Sequence, residues 1–234
     1  MMSPVLETVE KASLSRGTSA NVILQRVAEG LQAREITGGT LVDLGCGTGD
    51  LWRALAGRFD EYLGVDAVRY ADFPAEAQLL EADLDAGCPG VPDASADVVA
   101  SVETIEHLEN PRAFVRTAAR IVRPGGWVVL TTPNQLSLLS KVCLLWSNQY
   151  PAFKERPGLY PSHITALLSI DLVRMATEAG LEAVQIVYSQ QGRIPLTGRH
   201  FPQFLSRWFP RALSDNVLLF ARKPSAPHER GGRS

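Results

Sequence analysis

The strongest chemical signal in the chain is Val42-Asp43-Leu44-Gly45-Cys46-Gly47-Thr48-Gly49. Glycine at 45, 47 and 49 removes Cβ obstruction where a chain leaves a strand, and a helix opening directly afterwards offers N–H groups to a ligand. Such a turn suits a nucleotide-like ligand or an amino-acid carboxylate. Its GxGxG spacing differs from the GxGxxG of dinucleotide-binding turns, which argues against a pyrophosphate, as does Asp43 ahead of the bend. The next acid, Asp66 in Gly64-Val65-Asp66-Ala67, closes a strand-like run. At the carboxyl end of a parallel strand such a group can accept from both hydroxyls of a ribose. In Glu81-Ala82-Asp83-Leu84, Asp83 can accept from an adenine amino group while Leu84 covers the ring.

A second constellation follows. Glu103, Glu106 and His107 are spaced i, i+3 and i+4, so a helical turn brings them out on one face. With His163 as a fourth ligand, this mixed carboxylate and imidazole set accepts Mg²⁺, Mn²⁺ or Zn²⁺. The same residues have a metal-free reading. Glu103 and His107 then hydrogen-bond around the ligands, Glu106 sits at a solvated helix start, and His107 or His163 acts as a general base with a pKa of about 6.5.

The elements that must position these groups alternate along the chain. Strand-like runs fall at 40–45, 61–66, 78–84, 97–102, 127–132, 183–188 and 216–221. Helical runs lie between them. Residues 20–33 place Ile23, Leu24, Val27 and Leu31 on one face, and another helix opens at about 50. Asn110-Pro111 caps a third, stopped by Pro124-Gly125-Gly126, and Ser169 caps a fourth that Gly180 ends. This order predicts one α/β domain over 20–223, with a doubly wound, mostly parallel seven-stranded sheet and helices on both faces. Residues 1–19 form an N-terminal segment. The Pro-, Gly- and charge-rich tail 224–234 is expected to be disordered. Between the second and third strands, 67–77 has little room for a crossover helix.

Composition sets the outer limits. The 234 residues are 45% hydrophobic, enough for one sizeable core. A formal charge of -2 argues against nucleic acid as a partner. Two segments, 135–162 and 190–215, stand outside the nucleotide-binding core as acceptor-side insertions. The second interleaves Phe201, Phe204, Trp208 and Phe209 with Arg193, Arg199, Arg207 and Arg211. It fits an anionic acceptor, with Arg193 and Arg199 as candidate ligands, or peripheral contact with a membrane surface. Cys46, Cys88 and Cys143 are odd in number and lack CxxC spacing, which fits a reducing cytoplasm. No apolar signal core opens the chain, and the run 136–146 is short and broken by Lys141, so no membrane span is expected.

Taken in order, VDLGCGTG, GVDA, EADLD, ADVVASVETIEHLENP and RIVRPGGWVVLTTPN resemble the motifs of class I S-adenosylmethionine-dependent methyltransferases. The resemblance implies that Asp43, Gly45, Cys46, Gly47 and Gly49 hold the methionine end and sugar of S-adenosylmethionine. Asp66 and Ala67 would meet the ribose, Asp83 and Leu84 the adenine, and Val102 and Glu103 would close the site beside the methyl group. The Glu-x-x-Glu-His run is similar to that of ubiquinone-pathway O-methyltransferases and of small-RNA 3′-end methyltransferases. It implies Mg²⁺ or Mn²⁺ at Glu103, Glu106, His107 and His163. The activity expected is O-methylation of a small-molecule acceptor such as a quinone precursor, a glycan sugar or a secondary metabolite. An RNA methyltransferase and a non-catalytic S-adenosylmethionine-binding domain are the alternatives.

Overall fold

A computed structural model describes residues 17–155 and 159–225. Its strands are β1 (Thr40–Leu44), β2 (Glu61–Asp66), β3 (Gln78–Glu81), β4 (Ala96–Ser101), β5 (Val122–Pro133), β6 (Glu182–Tyr188) and β7 (Asn216–Arg222). They form one sheet in the order β3-β2-β1-β4-β5-β7-β6. Strands β1 to β5 pair in parallel, and β7 runs antiparallel to both of its neighbours. The doubly wound sheet expected from the alternation is therefore present. Its order reverses between β1 and β4, so a crevice opens at their carboxyl ends.

Burial on both faces explains the apolar runs of the central strands, since a parallel sheet must be covered on each side. Helix α1 (Asn21–Gln32) turns Ile23, Leu24, Val27 and Leu31 inward and, with α2 (Asp50–Ala54), covers one face. A Cβ at Gly30 would lie 2.1 Å from the Phe220 ring, so only glycine lets α1 approach β7 this closely. Helices α3 (Pro111–Ile121) and α5 (Ser169–Glu178) cover the other face. Asn110 caps α3 by accepting the Ala113 N–H at 3.0 Å, with Pro111 at the first position. At its far end the Lys223 ammonium donates to the carbonyls of Ala119 (2.7 Å) and Val122 (2.8 Å), where a helix favours positive charge.

Helix α4 (Leu138–Ser147) follows β5, and the short helix α6 (Gln203–Trp208) precedes β7. The backbone stitches these two segments together. The N–H of Asn134 donates to the Asp215 carbonyl, and that of Leu138 to the Ala212 carbonyl, both at 2.7 Å. The Asn134 side-chain amide donates to the carbonyls of Arg211 and Ser214 at 2.8 Å.

Three local expectations change. Ser169 is the first residue of α5 rather than its cap; Leu168 holds that place, and Asp171 accepts its N–H at 3.0 Å. Strand β3 stops at Glu81, and residues Leu84–Ala86 make a 3₁₀ turn. Helix α3 ends at Ile121 and β5 begins at once, so Pro124-Gly125-Gly126 form an irregularity in β5 opposite β4. As their length suggested, residues 67–77 contain turns and no helix. Most of the tail expected to be disordered, 226–234, lies outside the described residues, as do 1–16 of the N-terminal segment. No helix among the described residues is long and apolar enough to cross a membrane.

Candidate active site

The glycine turn leaves β1 with Gly45, Gly47 and Gly49 all at positive φ (81°, 52° and 82°), a conformation strained for any residue with a Cβ. The space a Cβ would need is taken by the chain itself: the Thr104 side chain at Gly45, the Gly17 carbonyl at Gly47, and Pro74 at Gly49. The N–H groups are committed as well. Those of Gly45 and Cys46 donate to the Val65 carbonyl, Thr48 to the Gly17 carbonyl and Gly49 to the Cys46 carbonyl. That of Gly47 donates to Asp66 Oδ2 at 2.8 Å. The expected cradle of free amides is thus replaced by an internally satisfied turn. This matters for ligand choice, because an anion needs donors that this turn has already used.

Beside it lies a cavity of about 420 Å³, within the roughly 300–1,000 Å³ of small-ligand sites. Its wall includes Gly45, Gly47, Asp66, Ala67, Asp83, Leu84, Val102, Glu103, His107 and His163, all expected from the sequence. Among the described residues, five carboxylates line it (Asp66, Asp83, Asp85, Glu103 and Glu109), and no lysine or arginine does. Burial raises the Asp66 carboxyl pKa, opposed by the N–H groups of Gly47, Val68 and Ala67. A cavity of this character fits a cationic, hydroxyl-bearing ligand. Asp83 Oδ1 caps the 3₁₀ turn by accepting the Asp85 N–H at 3.0 Å, which leaves Oδ2 for a ligand.

Three expected residues stand behind this wall. Asp43 is buried and accepts from the Tyr62 hydroxyl at 2.8 Å; burial pushes its carboxyl up to about 7. Cys46 packs with Phe73 and Ala77, where burial raises its thiol pKa. Gly49 stands at the start of α2. Their positions support the turn from beneath. Sequence reasoning missed the opposite wall, formed by Gly17, Thr18, Ser19, Ala20, Ile23 and Tyr70. Small polar residues ahead of an amphipathic helix were its only signal.

At one end of the cavity Glu106, His107 and His163 place one ligand atom each within 4.8 Å of one another. The 3₁₀ turn Ile105–His107 supplies the first two, and the chain returns because the N–H groups of Ile164 and Thr165 both donate to the Glu106 carbonyl. Glu106 is fully buried; its Oε2 accepts from the Thr132 hydroxyl at 3.1 Å. Its Oε1 has no hydrogen-bond partner among the described residues, and His163 Nε2 stands 3.9 Å away. Burial, then the neighbouring Glu103, push the Glu106 pKa well up. Burial also lowers His107 and brings His163 down to about 4. His107 Nδ1 lies 2.8 Å from Ser162 Oγ and 3.0 Å from its carbonyl.

Glu103 does not join this trio. At a positive φ of 53°, it accepts from the Thr131 hydroxyl (3.0 Å) and the Asn216 amide (2.8 Å), and burial raises it to about 7. The basic arm is also absent from the cavity wall. Arg193 pairs with Asp215 at 2.6 Å, and of the segment 135–162 only Leu159 reaches the cavity among described residues.

The chain is similar to known proteins in sequence and in fold. Residues 19–186 match a family model described as a methyltransferase domain. The chain is 31% identical over 163 residues to a ubiquinone biosynthesis O-methyltransferase of Thiobacillus denitrificans, covering 64% of this chain and 68% of that protein. A protein of the same name from Leptothrix cholodnii is 27% identical over 202 residues, covering 82% and 81%. Among solved structures, the 1,6-didemethyltoxoflavin-N1-methyltransferase of Burkholderia thailandensis, with bound S-adenosylhomocysteine, superposes with a TM-score of 0.62. It is 13% identical and covers 96% of this chain and 92% of that one, a likeness of fold. On the match across most of its length, with the sheet order and the acidic cavity beside the glycine turn, the chain belongs to the class I S-adenosylmethionine-dependent methyltransferases.

Proposed function

We propose that the enzyme methylates an oxygen of a small-molecule acceptor, and that Glu106, His107 and His163 hold a divalent cation that orients it. The observation that carries this reading is the buried, unpartnered Glu106 Oε1 facing two imidazoles at the end of the cavity. A buried carboxylate without compensation is costly. His163 cannot supply a positive charge at neutral pH, because burial holds it neutral. A cation bound between these groups resolves the conflict and reverses the upward push on Glu106. The same burial makes both histidines weak bases while keeping them in the form a metal ligand needs. If His107 Nδ1 carries its proton toward the Ser162 carbonyl, Nε2 is left with a lone pair for the metal. Two imidazoles and one carboxylate favour Mn²⁺ or Zn²⁺ over Mg²⁺.

S-Adenosylmethionine, when bound, supplies an electrophilic sulfonium methyl group. The protein's part is placement. Asp66 and Asp83 are set to take ribose and adenine, and the acidic wall suits the sulfonium and ammonium charges. Glu103, fixed by Thr131 and Asn216, lines the same cavity as the histidine pair. A relative named as a ubiquinone biosynthesis O-methyltransferase supports an oxygen acceptor, for which phenols are the first to try.

Titration calorimetry with Mn²⁺ is expected to show one site on the full chain, with at least about tenfold weaker binding in Glu106→Gln. Chelation should abolish transfer of labelled methyl to a phenolic acceptor, and Mn²⁺ should restore it. Full activity in chelator would retire the metal while leaving the methyltransferase reading intact.

A further inference from the structure

Among the described residues, several of the most exposed apolar side chains lie on two helices, α4 and α6. Leu145 and Trp146 on α4 are 87% and 91% exposed, and Trp208 at the end of α6 is 81% exposed, with Phe204 and Phe209 beside it in sequence. Helix α4 reads Leu138-Leu139-Ser140-Lys141-Val142-Cys143-Leu144-Leu145-Trp146-Ser147, yet Ser140 is its only buried residue. A helix of that composition ordinarily sits in a core. The bonds of Asn134 and Leu138 to residues 211–215 tie both helices to one edge, beyond the carboxyl end of β5 and ahead of β7. That is the ligand-binding end of the sheet. Leu159, which lines the cavity, is itself 46% exposed.

Charge decides what covers this surface. No acid occurs from Gln135 to Lys154 or from Gln190 to Ser214. Lys141, Arg199, Arg207 and Arg211 are exposed, and none forms an ion pair with a described residue. In a two-fold dimer the same patch would face itself, setting these cations against one another with no acid to meet them. An anionic lipid surface satisfies both halves of the pattern. Tryptophan and leucine enter the headgroup and acyl boundary, and the basic groups meet lipid phosphates. We propose that the α4 and α6 edge docks on the surface of an anionic lipid bilayer, with Leu159 at the lipid-side entrance to the cavity. The inference is independent of the metal and of the atom methylated.

Vesicle flotation of the full-length protein tests it. Vesicles of phosphatidylcholine mixed with phosphatidylglycerol should carry the protein upward, phosphatidylcholine alone should not, and high salt should release it. Replacing Trp146 and Trp208 together by Ser should weaken partitioning about tenfold or more, as should Arg207→Glu with Arg211→Glu. Melting temperature and S-adenosylmethionine affinity should not move. Protein left in the soluble fraction with both vesicle types, or binding indifferent to anionic lipid and salt, would overturn the proposal. So would a dimer in light scattering that the tryptophan replacements dissociate.

Discussion

At the scale of single residues, the site is governed by carboxylates taken out of water. Asp43 is the clearest case, because it stands behind the cavity wall and, among the described residues, its one side-chain partner is the Tyr62 hydroxyl. Its pKa rises to about 7 on folding, from about 3.9 in an unfolded chain. The folded state therefore holds a proton that the unfolded state releases between those values. Its contribution is fully present below about pH 4, falls as pH rises toward 7, and is level above that. At about 1.36 kcal/mol per unit, the loss reaches up to about 4 kcal/mol. Asp43→Asn keeps an acceptor for Tyr62 and removes this titration. In urea unfolding of the ligand-free protein, the variant should gain on the native chain by roughly 2–4 kcal/mol between pH 4 and pH 8. Any fixed cost of the amide cancels in that difference. An equal gap at both pH values would show that Asp43 stays ionised in the folded protein.

At the scale of elements, the turns on either side of α2 separate two reasons for glycine. Gly47 at φ 52° and Gly57 at φ 73° both occupy the left-handed region. A Cβ at Gly47 would lie 2.0 Å from the Gly17 carbonyl, whereas one at Gly57 meets nothing within 4 Å. Gly57→Ala should thus cost about 1–2 kcal/mol of stability and leave cofactor affinity unchanged. Gly47→Ala should carry a similar strain and also lower S-adenosylmethionine affinity about tenfold or more, since the Gly47 N–H holds Asp66. Calorimetry beside urea unfolding separates the two; equal affinities in both variants would mean that the turn does not position Asp66. Much of this scaffold was legible in the sequence. The pattern located all seven strands, most plainly the central ones, whose burial on both faces makes them continuous apolar runs. What pattern could not show was where the turn's N–H groups go, since their acceptors at Val65 and Gly17 are fixed only by folding. The same limit hid the parting of Glu103 from Glu106. Their spacing allowed one helical face, but Glu103 takes a positive φ and turns to Thr131 and Asn216 across the sheet.

At the scale of the whole molecule, the cavity depends on two parts distant in sequence: the carboxyl ends of the parallel strands, and a cover made by residues 17–20. The strands are held by the sheet and by cores on both faces. None of residues 17–20 is buried, and hydrogen bonds tie the cover to the glycine turn and to α2. The N–H and hydroxyl of Thr48 donate to the Gly17 carbonyl at 2.8 and 3.2 Å, and the Ser19 N–H donates to Asp50 Oδ2 at 3.1 Å. At about 1 kcal/mol each, such bonds give the cover a local stability well below that of the sheet. The fold and the binding site should therefore fail separately. A chain beginning at Ala20 keeps the carbonyl that accepts from Ile23 at the start of α1, so it should melt within a few degrees of the full protein. Its S-adenosylmethionine affinity should nevertheless fall about tenfold or more, because one wall of the cavity has been removed. Ser19→Pro in the full-length chain deletes the donor to Asp50 and should move affinity in the same direction without touching residues 1–16. If both proteins bound the cofactor as tightly as the native chain, the segment would be packing against the turn without closing the site.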